Sequence, residues 1–411
     1  MNFIQLMRQR DFIAQITHEH ELEEHLAAQS RCAYVGFDPT ASSLTAGHLV
    51  PIIALSRWQK AGNKAIALIG GGTALIGDPS GKSDMRQMLN TEKIYENGQS
   101  IKKQLERFLD LSDKKNGILL NNLDWLNELK YLQILRDIGP HFSVNRMLTA
   151  DSVKLRLEKG LSFLEFNYSI LQSYDFLELY RKHACSVQLG GDDQWSNMLG
   201  GMELVRRMEN GKAFCVTVPL LLNSDGSKMG KTEKGAIWLD EEKTSPYEFY
   251  QYWRNIEDAS VIKVLKRLSF LPNADILELS QLKGADINHA KKVLAFELCK
   301  IVHGEQKARH AEVTSEKLFS SGAADSGSEP VHEIEKSEFL KYQDNITEFV
   351  YLSKIFASKS EIRRLIQQGG LSIDDIKINS GDQKLPDELK SKQSWLLKKG
   401  KKSYYRINLR N

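Results

Sequence analysis

A chain of 411 residues, 41% apolar and 27% charged with a formal net charge of +3, has the length for two or three domains and the composition of a soluble globular protein. No stretch approaches the ~20 apolar residues that span a bilayer, and the opening MNFIQLMRQRDF lacks the long apolar run of a secretory signal. The four cysteines (Cys32, Cys185, Cys215, Cys299) show neither CxxC spacing nor a histidine at ligand spacing, which argues against a zinc site or disulfide framework and for a reducing cytoplasmic setting.

From the N-terminus, residues 1–30 space their apolar side chains as helices do, in FIQLMRQRDFIAQI and ELEEHLAA. CAYVGF, from Cys32, reads as a buried strand. DPTASSLTAGHLV follows as a loop and helix start, and the helix runs to about Ala61. KAIALIG is a second buried strand, ended by the glycines at 70–72; GILLNNLDWL, from Gly117, is a third and SVQLGG, from Ser186, a fourth. Buried strands alternating with helices imply an α/β fold built on a parallel, doubly wound sheet, whose ligands sit beyond the carboxyl ends of the strands. The small and polar residues of this sequence fall at those ends.

From Thr244 to about Leu318 the pattern is helical, best in SPYEFYQYWRNI and INHAKKVLAFELCKIVHG. SSGAADSGSEP (320–330) reads as a linker. A small mixed segment starts near Ile346 and ends in the alternating strand SYYRINL. The expected organisation is a catalytic domain over 1–243, a helical domain over 244–319, a linker and lead-in over 320–345 and a small α+β module over 346–411. Residues 354–411 hold 14 Lys/Arg against 6 Asp/Glu, a net +8 that leaves −5 for the rest of the chain. A basic tail on a slightly acidic body suggests a polyanion partner at that end.

Two constellations carry chemistry. In GFDPTASSLTAGHLVP a strand runs into a loop that opens a helix. Gly47 lets a flat base approach the backbone, and His48 stands at the positive end of the helix, where backbone N–H groups can face a phosphate. In LNSDGSKMGKTEKG, Lys228 and Lys231, with Thr232 and Lys234, lie in a Gly/Ser-rich segment and can clamp a polyphosphate while neutralising the charge that grows as pyrophosphate leaves. Alone, a Gly-His pair or a KxxK turn means little. GDPSGKS has three residues between its glycines where a P-loop has four, and Leu75 stands where a dinucleotide fingerprint needs its third glycine, so both of those readings fail.

Taken together, the Gly-His turn and the KMxK[ST] loop some 180 residues later resemble the two signatures of class I aminoacyl-tRNA synthetases. YVGFDPT (34–40), GDPSGK (77–82), YSILQSYDF (168–176) and QLGGDDQW (188–195) narrow the resemblance to the bacterial-type tyrosyl-tRNA synthetases. It covers roughly residues 31–411 and implies a Rossmann-like catalytic domain that activates tyrosine with ATP and passes it to tRNA.

The resemblance assigns roles residue by residue. It implies that Tyr34 and Asp175 bind the hydroxyl of the substrate tyrosine, that Asp78, Tyr168 and Gln172 bind its α-amino group, and that Gln188 and Gln194 lie beside its carboxylate. Tyr168, Gln172 and Asp175 are spaced by four and three, so they share one helix face; a polar row on an otherwise apolar helix is costly unless it lines a cavity. A site that hydrogen-bonds a hydroxyl leaves its own groups unpaired when phenylalanine enters, a discrimination for which tyrosine-activating enzymes are the standard illustration. Asp193 matches the residue that holds the ribose hydroxyls, with close approach at Gly190 and Gly191; Gly36, Asp38, Thr40, Gly47 and His48 complete the ATP side. Lys82 and Arg86 resemble the family's mobile-loop cations, and Lys228, Lys231 and Thr232 complete the clamp. Mg²⁺ is expected to accompany ATP without a protein cage, and no zinc is expected.

Two positions depart from the family pattern. Thr45 stands where the first histidine of HxGH is usual, a shorter neutral group whose hydroxyl can still donate one hydrogen bond to the phosphates; Asp192 replaces a usual serine. The C-terminal EFVYLSKIFASKSEIRRLIQQGGLSI resembles a small RNA-binding module; Lys354, Lys359, Arg363 and Arg364 fall on a helical stretch and Lys398, Lys399, Lys401 and Lys402 on a turn, an arrangement suited to tRNA phosphates. The family is a homodimer, and PHFSVNRML (140–148) resembles part of its interface. Membrane and DNA are not expected partners. The competing readings are the tryptophanyl sister enzyme, opposed by Tyr34 with Asp175 and by the basic module, and a non-catalytic RNA-binding paralogue, to which Thr45 alone points.

Overall fold

The computed structural model describes residues 2–80, 89–149, 151–232, 235–320, 330–400 and 403–410. The chain forms two compact units, one of Met1–Gly230, Trp238–Asp240 and Ile262–Ile276, the other of Lys231–Ile237, Glu241–Val261 and Leu277–Asn411.

The first unit is built on a six-stranded sheet. In chain order it contains α1 (Phe3–Gln9), β1 (Gln15–Ile16), α2 (Glu19–Ala28), β2 (Cys32–Phe37), α3 (Leu49–Lys60), β3 (Lys64–Ile69), α4 (Thr91–Leu105), β4 (Gly117–Asn121), α5 (Phe163–His183), β5 (Cys185–Gly191), α6 (Trp195–Glu209) and β6 (Phe214–Val218), besides shorter turns. The strand order is β1-β6-β5-β2-β3-β4. β2 to β6 run parallel, and β1 joins the edge antiparallel to β6. The four strands expected from sequence are therefore present, in a sheet that is mixed rather than wholly parallel. β1 is two residues long, too short for any periodicity to reveal, and lies in a segment whose spacing is helical.

Strands β2, β3 and β5 are buried on both faces, which is why they read as continuous apolar runs rather than alternating ones. α3 is buried nearly all round, down to Trp58, whose indole donates to Lys64 O at 2.9 Å. α5 starts at a capping box formed by Ser162 and Glu165 and ends with Arg181, Lys182 and His183 against its C-terminal carbonyls. The chain crosses from β2 to β3 on one side and later returns to β5 on the other, so β2 and β5 are neighbours at the topological switch point, where such sheets open a crevice.

The second unit carries a small hairpin, β7 (Lys231–Thr232) with β8 (Gly235–Ala236). Its helices α7 (Pro246–Arg254), α8 (Ile287–His303) and α9 (Glu305–Ser320) pack together. Ser245 caps α7 and Pro246 occupies its first turn. A five-stranded sheet follows, in the order β11-β10-β12-β13-β9, from β9 (Val331–Glu335), β10 (Leu371–Ile373), β11 (Ile376–Lys377), β12 (Ser394–Lys399) and β13 (Ser403–Arg410). Helices α10 (Lys336–Tyr342), α11 (Ile346–Leu352) and α12 (Lys359–Gln367) cover it, with Phe339, Phe349 and Trp395 stacked at 5.0–5.6 Å between ring centres. Residues 331–342, expected as lead-in, are thus β9 and α10 of this module; β9 pairs parallel with the terminal strand. Most of the 320–330 linker reading falls outside the described residues.

Candidate active site

The central strands of the first unit bring polar groups and small residues toward their carboxyl ends. β2 presents Tyr34 and runs out to Asp38; β3 runs into Gly70; β4 ends at Asn121 and Asn122; β5 presents Gln188 and runs into Asp192 and Asp193. Tyr34 and Gln188 are direct partners in the β2–β5 register. Tyr34 also packs on Phe176 of α5, with ring centres 5.3 Å apart, so the α5 face of the sheet and the polar row of α5 are brought together.

The Tyr34 hydroxyl, Gln172 Oε1 and Gln188 Oε1 are buried without a hydrogen-bond partner. Each such atom costs about 1–3 kcal/mol, and native interiors rarely tolerate several in one place. Gly36 of β2 stands beside open space: a Cβ built there would meet nothing within 4 Å. Unsatisfied polar atoms on β2, β5 and α5, with open space at Gly36, are what a site for a polar ligand requires.

Asp175 is 2% exposed, and its carboxylate accepts from Asn122 Nδ2 at 2.9 Å and Trp125 Nε1 at 2.8 Å. Burial nevertheless pushes it up to about 8, against the pull of those two donors. Burial and then the charge of Asp175 push the Tyr34 hydroxyl well above its ordinary value. The network continues. Asn122 Nδ2 also reaches Thr73 Oγ1 at 3.0 Å, Thr73 donates to Asp38 Oδ1 at 2.7 Å, and Tyr168 donates to Asp38 Oδ2 at 2.9 Å. Asp38, expected on the ATP side, is therefore tied to the polar row of α5. Sequence reasoning missed Asn122, Trp125 and Thr73. GILLNNLDWL reads as one strand, but the strand stops at Asn121, and Leu123–Leu126 is a helical turn that aims the indole back at Asp175. The available signal was the polar Asn-Asn pair at the end of an apolar run.

The glycines at 70–72 have a steric reason. A Cβ on Gly70 would lie 2.0 Å from Asp38 Oδ1, and one on Gly71 would lie 2.4 Å from Asn121 Oδ1. Asp78 and Gln194 meet as well, Gln194 Nε2 donating to Asp78 Oδ2 at 2.9 Å while Asp78 Oδ1 takes the Ser80 N–H.

Thr45–His48, expected on the ATP side, forms a tight turn ahead of α3. The Thr45 backbone N–H donates to His48 Nδ1 at 3.1 Å, and the Thr45 hydroxyl lies 2.8 Å from the same nitrogen. A nitrogen that accepts from a backbone N–H carries no proton, so His48 is held as the tautomer with its donor at Nε2. The Thr45 hydroxyl, expected to donate to phosphate, is engaged with His48 instead. Thr45→Val, which keeps the shape and removes the hydroxyl, is accordingly expected to slow amino-acid activation about fivefold, the ~1 kcal/mol of one neutral hydrogen bond, with amino-acid affinity unchanged; stopped-flow or pyrophosphate-exchange rates check it.

Gly230, at φ +84°, abuts this turn: its Cβ position is 3.1 Å from Ala46 Cβ and 3.4 Å from Gly47 N. The two sequence signatures thus meet. Lys228 pairs with Asp193 at 2.9 Å. Asp192 faces the sheet edge, where Oδ1 accepts from Gln15 Nε2 at 2.7 Å and Thr217 Oγ1 at 2.9 Å; its substitution for serine joins β1 and β6 instead of crowding the site with charge. Thr40 is exposed, with its N–H on Asp38 O, and Lys231 is exposed on β7. Lys82, Arg86, Lys234, Lys401 and Lys402 lie outside the described residues, as does the side chain of Thr232. Among the described residues no group of three His, Cys, Asp or Glu could hold a metal, and no helix is long and apolar enough to cross a membrane.

In the C-terminal module Arg363 and Arg364 are exposed on α12. Lys359 bonds Glu348 at 2.7 Å, and Lys354 precedes α12 in a left-handed turn (φ 58°) rather than on the helix. Lys398 and Lys399 belong to β12, not to a turn, and Lys399 is paired with Glu361.

The family model for class I tRNA synthetases (W and Y) matches residues 28–320, and that of the tyrosine–tRNA ligase SYY-like C-terminal domain matches residues 328–407. The tyrosine–tRNA ligase of Caldanaerobacter subterraneus is 51% identical over 407 residues, 99% of each chain. That of Clostridium tetani is 52% identical over 406 residues, 99% of this chain and 98% of the relative. Among solved structures, a C-terminally truncated mitochondrial tyrosyl-tRNA synthetase of Aspergillus nidulans superposes with a TM-score of 0.69 at 29% identity, covering 77% of this chain and 94% of that one. A tryptophanyl-tRNA synthetase of Encephalitozoon cuniculi shares the fold, with a TM-score of 0.57 at 12% identity over 74% of this chain and 86% of that one.

Proposed function

The chain belongs to the class I tyrosine–tRNA ligases, and from that membership we propose how its residues divide the work. It activates L-tyrosine with ATP, releasing pyrophosphate, and transfers tyrosine from the adenylate to the 3′ end of tyrosine tRNA. The observation that carries the tyrosine assignment is that Tyr34 and Asp175 are both buried and near enough for the charge of Asp175 to act on the Tyr34 hydroxyl, which, like the oxygens of Gln172 and Gln188, has no hydrogen-bond partner. A phenol needs an acceptor and a donor at its tip; Asp175 accepts and Tyr34 donates. Gln172, Tyr168 and Asp78 take the α-amino group, and Gln188 and Gln194 orient the carboxylate.

The tyrosine carboxylate attacks the α-phosphorus in line, and pyrophosphate leaves. No side chain acts as nucleophile; the protein positions reactants and stabilises charge. His48 donates from Nε2 toward the phosphates at the start of α3, with Thr40 beside it. Gly47 and Gly36 leave room for the nucleotide, and Asp193 and Gly191 hold its ribose. Lys228, Lys231 and Thr232, with Lys82 and Arg86, meet the charge developing on pyrophosphate. Phosphate charge neutralisation is the chemistry that Mg²⁺ bound to ATP would supply. Asp38, Asp78 and Asp193 are the carboxylates on this side that could approach it, each already accepting a bond from the protein.

The basic face of α12, with Arg363 and Arg364, would contact tRNA phosphates, together with Lys354 and Lys359. A homodimer is supported by the exposed apolar side chains that flank residues 140–148, among them Leu132 at 77% and Phe163 at 69% exposure, which a second copy would cover. The four buried free cysteines agree with a cytoplasmic setting. ATP–pyrophosphate exchange by the purified protein should depend on tyrosine and be negligible with tryptophan; tryptophan dependence, or no exchange at all, would overturn the assignment.

A further inference from the structure

The loop that carries the nucleotide-side residues is not held by its own strand alone. It is fastened from the side by α4. Asn97 Nδ2 donates to Pro39 O at 3.0 Å, and two helical turns further on Gln104 Oε1 accepts the Leu44 N–H at 2.9 Å. Residues spaced by seven lie on one helix face, so α4 grips both ends of the 39–44 loop. Asn97 and Gln104 are 2% and 5% exposed. In an interior of that kind a lost acceptor leaves the Leu44 N–H orphaned, with no water to replace it.

Gln104 also sits at a junction. Ser43 Oγ lies 3.4 Å from Gln104 Oε1 and accepts the Asp240 N–H at 3.1 Å. Leu44 O accepts the Leu239 N–H at 2.9 Å, and Thr45 bridges Trp238 antiparallel. Leu44 therefore has its N–H on α4 and its C=O on the segment that follows the Lys228–Lys231 loop. The next residue, Thr45, supplies both contacts that set the His48 tautomer. A shift at Leu44 displaces Thr45, and with it the His48 donor.

We propose that Gln104 is a positioning residue for the activation step: by accepting from Leu44 it sets where the Thr45–His48 turn places its donor against the ATP phosphates. None of the hydrogen bonds described around Tyr34, Gln172 and Asp175 involves Gln104 or Leu44. The inference rests on the phosphate role assigned above to His48, and the test separates the two.

Gln104→Leu removes the acceptor at nearly constant volume. Gln104→Glu retains an oxygen at the same reach. The leucine variant is expected to lower kcat for tyrosine-dependent pyrophosphate exchange by about 10- to 100-fold, the range for a misplacement remote from the reacting atoms. Its tyrosine Kd, measured by equilibrium dialysis without ATP, should stay at the parent value, and Gln104→Glu should recover most of kcat. Gln104→Asn, one methylene too short to reach Leu44, should behave like leucine and serves should leucine fail to fold. Parent-like kcat in the leucine or asparagine variant overturns the proposal, and so does an equal loss in the glutamate variant. If His48→Ala leaves kcat untouched, the assignment of His48 fails instead. If His48→Ala is impaired and both Gln104→Leu and Gln104→Asn are not, only the role of Gln104 fails.

Discussion

Asp175→Asn is expected to cut kcat/KM for tyrosine by about three powers of ten while leaving the KM for ATP near its parent value. Asp175 is proposed to accept from the substrate phenol at a position only 2% exposed. Losing this acceptor and orphaning the buried donors around it together amount to ~4 kcal/mol, or roughly 10³-fold. The same substitution has a second, pH-dependent signature. Burial holds Asp175 at about 8 in the fold, whereas an exposed aspartate titrates near ~4. The folded state thus binds the proton more tightly than the unfolded chain. The stability this group contributes is intact below about 4 and is lost as pH rises toward 8. Asparagine does not titrate. The variant's unfolding free energy relative to the parent, from denaturant titrations, should therefore improve from pH 5 to pH 8 by up to ~1.4 kcal/mol per pH unit and level off above it. A difference that does not change with pH would show that the carboxyl titrates normally. Unchanged kcat/KM would remove Asp175 from the substrate site.

Lys228→Ala is expected to lower kcat for activation by about 10²–10³-fold, the usual loss when one transition-state charge stabiliser is deleted. Its effect on ATP binding should be small and of the opposite sign. Lys228 pairs with Asp193 at 2.9 Å, so the ribose that Asp193 is proposed to hold must compete with the ammonium. Removing the lysine frees the carboxylate, and the KM for ATP should stay level or fall. The two quantities separate in initial-rate measurements over ATP concentration at saturating tyrosine. A large rise in KM with kcat preserved would mean that Lys228 binds ground-state nucleotide and that its ion pair with Asp193 is incidental.

Much of this site was legible because its motifs are local. Tyr168, Gln172 and Asp175 share a helix face by spacing alone, and the row would be untenable on a buried helix without a cavity. The run CAYVGF had to be a central strand, since no polar side chain interrupts it. Other features lay outside any local pattern. β1 is two residues long and takes its strand character from β6, some 200 residues away. Asp192, a departure from the usual serine in QLGGDDQW, is a clasp for Gln15 and Thr217.

The amino-acid sequence by itself determined which residue types fall at the strand ends and which motifs stand in which order, and through the family resemblance those motifs carry it implied a substrate hydroxyl and a polyphosphate met by histidine and lysine. Motif order and short spacing are properties of the chain, which the order of residues states directly. Only the tertiary structure decided how those groups are tuned. Asp175 receives its two donors from residues 53 and 50 positions away, Leu44 is held by a glutamine 60 positions on, and the Thr45 hydroxyl turns to His48 rather than outward. Burial and hydrogen bonding are properties of neighbours in space, and a buried group's charge and direction are set by those neighbours whatever their distance along the chain.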